Sequence, residues 1–141
     1  MKKAEARRLL KTSMKWLRAA MMLGSWRINL EWVELPPGSL ARVRTDARYQ
    51  IADIEIDASQ HEDEEHLLST VRHELAHIFH ADFKTYELTA AHHMSDPVRN
   101  SLEEVFDFAQ EKTVTAIEAM LEHGLGLTPK KMISLARRWQ K

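Results

Sequence analysis

The stretch Val71-Arg72-His73-Glu74-Leu75-Ala76-His77-Ile78-Phe79-His80 decides how the chain is read. It contains His73-Glu74-x-x-His77 with no Gly or Pro to break a helix. Leu67, Leu68, Val71, Leu75, Ile78 and Phe79 recur at helical spacing and form one apolar stripe. At about 100° per residue, His73 and His77 fall well away from the centre of that stripe. A helix here would anchor by one side and present two imidazoles, one turn apart, on another. Two such imidazoles can reach a single metal ion, and the intervening Glu74 can reach a water on that ion.

Working backwards, Ser59 and Glu62 have the spacing of a capping box, and Glu62 to Glu65 suit the positive end of a helix dipole. The predicted helix therefore runs from about 60 to 81. Before it, residues 49–56 place Ala52, Ile54 and Ile56 on one face, as a strand does. Residues 40–45 form a second predicted strand, and Pro36-Pro37-Gly38-Ser39 a turn. In residues 26–33, Trp26, Ile28, Leu30 and Trp32 alternate with Arg27, Asn29 and Glu31, which predicts a half-buried strand. Residues 3–23 read as a helix through Leu9, Leu10, Met14, Leu17 and Met21, ended by Gly24-Ser25. Beyond the motif, helices are expected at about 97–122 and at 129–139, the latter capped by Thr128 with Pro129 in first position. The order predicts an α+β domain: an N-terminal helix, a small three-stranded sheet, the His-Glu-x-x-His helix and C-terminal helices to cover the sheet.

A chain of 141 residues with 44% apolar and 29% charged residues fits one domain, 1–141, with no room for a second core. Its longest wholly apolar run, Ala19 to Leu23, is too short to cross a bilayer. Cations interrupt the N-terminal region, so no secretory signal is expected there and the expected compartment is the cytoplasm. Cysteine is absent, so any metal must sit on His and carboxylate. The 20 basic and 21 acidic residues nearly cancel but are unevenly placed: residues 1–18 hold seven cations against Glu5 alone, and the end from Lys130 is basic again. Such runs are most simply solvated helix faces. Nucleic-acid contact is the weaker expectation, since neither interleaved aromatics nor a groove-reading motif supports it.

Two His leave a zinc site one protein ligand short. A third metzincin-type His is excluded, because His80 and Phe83 stand where that pattern needs Gly and His. The candidates downstream are His92, His93, Glu103, Glu104, Asp107 and Glu111. On the last long helix the main apolar face runs through Leu102, Val105, Phe106, Ala109, Ile117 and Met120, with Glu111 opposite. Val114 and Leu121 give the Glu111 side apolar neighbours of its own. Periodicity leaves the choice open.

Four segments together resemble the small phage and prophage zincin-like metallopeptidases, a minimal gluzincin type: Trp26-Arg27-Ile28-Asn29-Leu30, Ala52-Asp53-Ile54-Glu55-Ile56-Asp57, His73-Glu74-Leu75-Ala76-His77 and Gln110-Glu111-Lys112-Thr113-Val114. The similarity spans roughly residues 5–122, and its most specific part is the His-Glu-x-x-His motif. The resemblance implies a zincin-like fold, zinc held by His73, His77 and Glu111, and Glu74 as general base and acid in peptide hydrolysis. It also implies an extended protein or peptide substrate added to the strand at 50–56. Glu104 is the reserve ligand. A rival resemblance, to SprT/Spartan-like DNA-associated proteases, would make His92 the third ligand, but the Gly and aromatic residues usual beside it are missing from Ala90-Ala91-His92-His93-Met94. A donor to the reaction's oxyanion would come from Tyr86, His92 or His93. A zincin-like interaction module without catalysis is the competitor from another class, and an intact Glu74 argues against it.

Overall fold

A computed structural model describes residues 2–91 and 93–138, with side chains at all of these except 85–88 and 91. Helix α1 (Lys3–Ala20) leads into strands β1 (Arg27–Trp32), β2 (Ala41–Asp46) and β3 (Ile51–Ile56). A short 3-10 turn (Ala58–Gln60) precedes helix α2 (Glu64–His77). A second 3-10 turn (Ile78–His80), then α3 (Ala81–Ala91), α4 (Asp96–His123) and α5 (Pro129–Arg138) follow. The fold is α+β, as the order of patterns predicts. No helix among the described residues is long and apolar enough to cross a membrane.

The sheet is mixed, in the order β1-β3-β2, with β1 parallel and β2 antiparallel to β3. The central strand is therefore β3, whose Ala52, Ile54 and Ile56 are fully buried. Its polar residue Glu55 is also only 7% exposed, and it tolerates that burial because Arg42 and Arg44 of β2 both bond its carboxylate. This corrects one expectation. Residues 50–56 cannot receive an added peptide, because both edges of β3 are already paired; the open edge on the α2 side belongs to β2.

The chain between β1 and β2 passes through Pro36-Pro37-Gly38-Ser39, where Ser39 N–H donates to the Pro36 carbonyl at 2.9 Å and Gly38 takes φ 88°. A side chain would be strained at that dihedral. The α1 face carrying Ala6, Leu9, Leu10 and Leu17 packs into the core with Leu67, Leu68, Val71 and Leu75 of α2, and Met132 and Ala136 of α5 close it. Trp16, Trp26 and Trp32 pack partly buried against it; Trp139 lies outside the described residues.

Helix boundaries differ from expectation for local reasons. Asp57 caps the first 3-10 turn by accepting from Ser59 N–H and Oγ, so Ser59 is not free to cap α2. Asp63 does so instead, accepting from His66 N–H at 2.8 Å. The motif helix stops at His77, and a helix at 81–91, which the apolar periodicity does not announce, follows it. In α4 the buried residues are Val114 and Leu121, which turns the Glu111 side toward α2 while Glu111 itself stays exposed. Val105 and Met120, on the longer apolar stripe, are left 64% and 60% exposed.

Candidate metal centre

Helix α2 buries Leu67, Leu68, Val71 and Leu75 and turns His73 and His77 toward α4. Their rings meet edge to face, with Nε2 atoms 3.2 Å apart. Glu111 of α4 closes the group: Oε2 lies 3.6 Å from His73 Nε2, and Oε1 lies 3.3 Å from His77 Nε2. One donor atom from each of the three residues lies within 4.8 Å of the others, the only such His/Asp/Glu group among the described residues. Three N/O donors each about 2.0–2.2 Å from a tetrahedral ion stand roughly 3.3–3.5 Å from one another. The observed separations, the two to Glu111 taken from its different oxygens, are near that size, so the donor set is compatible with one ion and leaves a fourth position for a non-protein ligand.

A fourth side chain, which the sequence did not single out, completes the surroundings. Glu118, two turns beyond Glu111 on α4, places Oε2 at 3.3 Å from His73 Nδ1. An Nδ1–H donated to that carboxylate fixes the tautomer and leaves the Nε2 lone pair facing His77 and Glu111. Glu118 is in turn held by Arg72, which is 3% exposed. The Arg72 guanidinium reaches Glu118 at 3.4 Å, Glu122 at 2.7 Å and the Leu127 carbonyl at 3.1 Å. The seven-residue step from Glu111 to Glu118 is the one signal in the sequence that could have found the carboxylate, since it returns to nearly the same helix face.

The electrostatics follow from these contacts. The hydrogen bond to Glu118 raises the pKa of His73 against the effect of burial. Burial tends to raise Glu118, but the His73 bond and the Arg72 charge outweigh it and hold the carboxylate low. Burial lowers His77, which favours the neutral imidazole a metal ligand must be. Glu74 is 9% exposed, and burial pushes its carboxyl up to about 7 against the pull of His73, with Glu111 adding to the rise. The Val43 N–H of edge strand β2, across the cleft, offsets part of that rise. His80 is likewise lowered by burial, and its Nε2 is buried without a hydrogen-bond partner.

His73, Glu74, His77 and Glu111 line one wall of a cleft of about 520 Å³ whose other wall is β2, Ala41 to Thr45. The remaining candidates lie elsewhere. Glu103, Glu104 and Asp107 are exposed on α4 and outside the donor group. His93 is exposed and does not line the cleft. His92 and the Tyr86 side chain lie outside what the structure describes. No family model matches the chain, and no curated protein or solved structure is significantly similar to it.

Proposed function

We propose that the chain is a zinc-dependent metallopeptidase of the zincin-like type that the motif resembles, acting on extended protein or peptide segments in the cytoplasm. The observation that carries this is the convergence of His73, His77 and Glu111 at donor separations of 3.2 to 3.6 Å, with Glu74 beside them on the wall of the cleft. His73, His77 and Glu111 would hold the ion, and Glu118 and Arg72 would orient His73. Bound there, a zinc ion supplies a Lewis acid that brings a water's pKa toward neutrality.

The chain's own residues then divide the remaining work. Glu74, beside His73 and His77 on the cleft wall, is placed to take a proton from the attacking water and pass it to the leaving amine. Val43 steadies the Glu74 carboxylate from across the cleft. The same contact fixes the phase of β2. If the Val43 N–H points away from β3, the N–H and C=O of Ala41 and Thr45 do too, because an antiparallel strand alternates. These groups offer an open edge to which an extended peptide can add, about one residue from the general base. Exposed Arg42 and Arg44 project from the alternate positions and are engaged with Glu55.

The test is hydrolysis of an unfolded protein substrate by the zinc-loaded wild type and by Glu74→Gln, with zinc content measured on both. Cleavage by the wild type, abolished in Glu74→Gln with zinc retained, supports the reading. Zinc retained without cleavage of any unfolded or extended substrate would replace the peptidase with a zincin-like interaction module.

A further inference from the structure

Away from the cleft, helix α1 carries a feature the peptidase reading does not use. Arg7, Arg8, Lys11, Lys15 and Arg18 fall within an arc of about 100° on this helix, opposite the arc that buries Ala6, Leu9, Leu10, Ser13 and Leu17. The only acid on the helix, Glu5, lies outside the cationic arc. Helix α5 packs beside α1 and adds exposed Lys130, Lys131, Arg137 and Arg138 with no acid of its own. Residues 2–18 and 130–138 thus hold eleven cations and one acid between them, while the rest of the chain holds 20 acids, among them Glu64 and Glu65 beside α5, against nine cations.

This arrangement is unfavourable by itself. Arg7 and Lys11, Arg8 and Lys11, Lys11 and Lys15, and Lys15 and Arg18 are like-charged neighbours three or four residues apart, which repel on a helix. Lys2, Lys3 and Arg7 also stand at the positive end of the helix dipole. Lys3 donates to the Trp32 carbonyl, Arg18 to the Gly24 and Trp26 carbonyls, and Arg7 lies over the Trp32 ring, but none of these partners is an acid. Among the described residues no carboxylate pairs with Arg7, Arg8, Lys11 or Lys15, and Arg137 with Glu64 is the only ion pair on either helix. A solvated face with mixed signs would show neither penalty.

We propose that α1, supported by α5, is a docking surface for the phosphate backbone of double-stranded nucleic acid, separate from the metal centre. The stripe from Arg7 to Arg18 is about 17 Å long, alongside roughly ten phosphate charges of a duplex. An anionic membrane is the other polyanion such a helix meets, but membrane-seeking helices insert an apolar face, and that of α1 is spent in the core, with Leu9, Leu10 and Leu17 at most 2% exposed. No aromatic of α1 or α5 among the described residues stands exposed to stack on unpaired bases, which favours duplex over single strand. Contacts of this kind position a protein without reading sequence.

The experiment is fluorescence anisotropy with a labelled random-sequence 25-bp DNA duplex between about 50 and 250 mM salt. Four phosphate contacts, from the exposed Arg7, Arg8, Lys11 and Lys15, predict a slope of log K against log salt of about −3.6, since Arg18 is engaged with the Gly24 and Trp26 carbonyls. The triple variant Arg8→Gln, Lys11→Gln, Lys15→Gln should flatten it to about −1 while circular dichroism shows the fold retained. Lys112→Gln, an exposed cation on α4, should leave the slope as in wild type. Absence of duplex binding at 50 mM salt, a slope the triple variant does not change, or a preference for phosphatidylserine vesicles over the duplex would each overturn the proposal.

Discussion

Glu118 Oε2 stands 3.3 Å from His73 Nδ1, on the side of the ring away from Glu111. The contact joins the candidate metal centre to the buried Arg72 and through it to the C-terminal part of the fold. Removing such a partner of a ligating His typically costs 10–100-fold in metal affinity. Glu118→Ala is therefore expected to weaken zinc binding by about 10–100-fold without abolishing it. A chelator competition titration checks this; an unchanged affinity would mean that His73 is oriented by packing alone.

Arg72 is buried against two carboxylates and a carbonyl, so its loss strips several partners at once. Arg72→Ala is expected to destabilise the protein by about 2–4 kcal/mol, discounted from a fully buried pair because Glu118 and Glu122 keep some solvent contact. Arg72→Lys should recover little of this, since one ammonium cannot span three acceptors in the guanidinium's planar geometry. Urea unfolding of both variants decides the matter, and full rescue by Lys would contradict it.

The raised carboxyl of Glu74 makes a pH prediction for metal-free protein. Its folded value of about 7 lies above the unfolded 4.5, so the folded state holds this proton more tightly. Stability from this group is full below about 4.5 and is lost as pH rises through 7, by about 3 kcal/mol in total. Metal-free Glu74→Gln should match wild type below pH 4.5 and exceed it in stability above pH 7. Thermal melts across that range check the sign; a variant less stable than wild type at pH 8 would refute it.

The edge position of β2 gives a fourth prediction. Because the Val43 N–H points at Glu74 rather than into the β3 ladder, Val43→Pro removes no sheet hydrogen bond and should leave the protein folded. It should still sharply reduce peptide hydrolysis, because it deletes a donor at the open edge and the Glu74 contact. Ile54→Pro, in the doubly paired central strand, should not fold. Equal damage from both, measured by circular dichroism, would deny the difference between the strands.

How much of this the sequence carried can be seen residue by residue. Alternation marked all three strands, but it names no partners, and Asp53 and Glu55 made β3 look half-solvated when it is central. Only the paired Arg42 and Arg44, brought across by the fold, explain how Glu55 is buried. Ser59 and Asp63 both suit a cap in sequence, and the start of α2 falls at Asp63 because Asp57 engages Ser59. In α4 the longer apolar stripe suggests the packing face, yet the shorter Val114 and Leu121 pair is buried and turns the still exposed Glu111 toward His73 and His77. The helical spacing of His73 and His77 was legible because it is local. The meeting with Glu111 depends on how α4 crosses α2, which no local pattern encodes.

Elemental analysis of zinc-reconstituted protein tests the central claim most directly, run on wild type, Glu111→Ala, Glu104→Ala and His92→Ala with folding verified for each. The account predicts about one zinc per chain in wild type, Glu104→Ala and His92→Ala, and loss of the metal in Glu111→Ala, as one site built on His73, His77 and Glu111 requires. A wild type that cannot be loaded with zinc, or a Glu111→Ala variant that keeps it while His92→Ala does not, would contradict it.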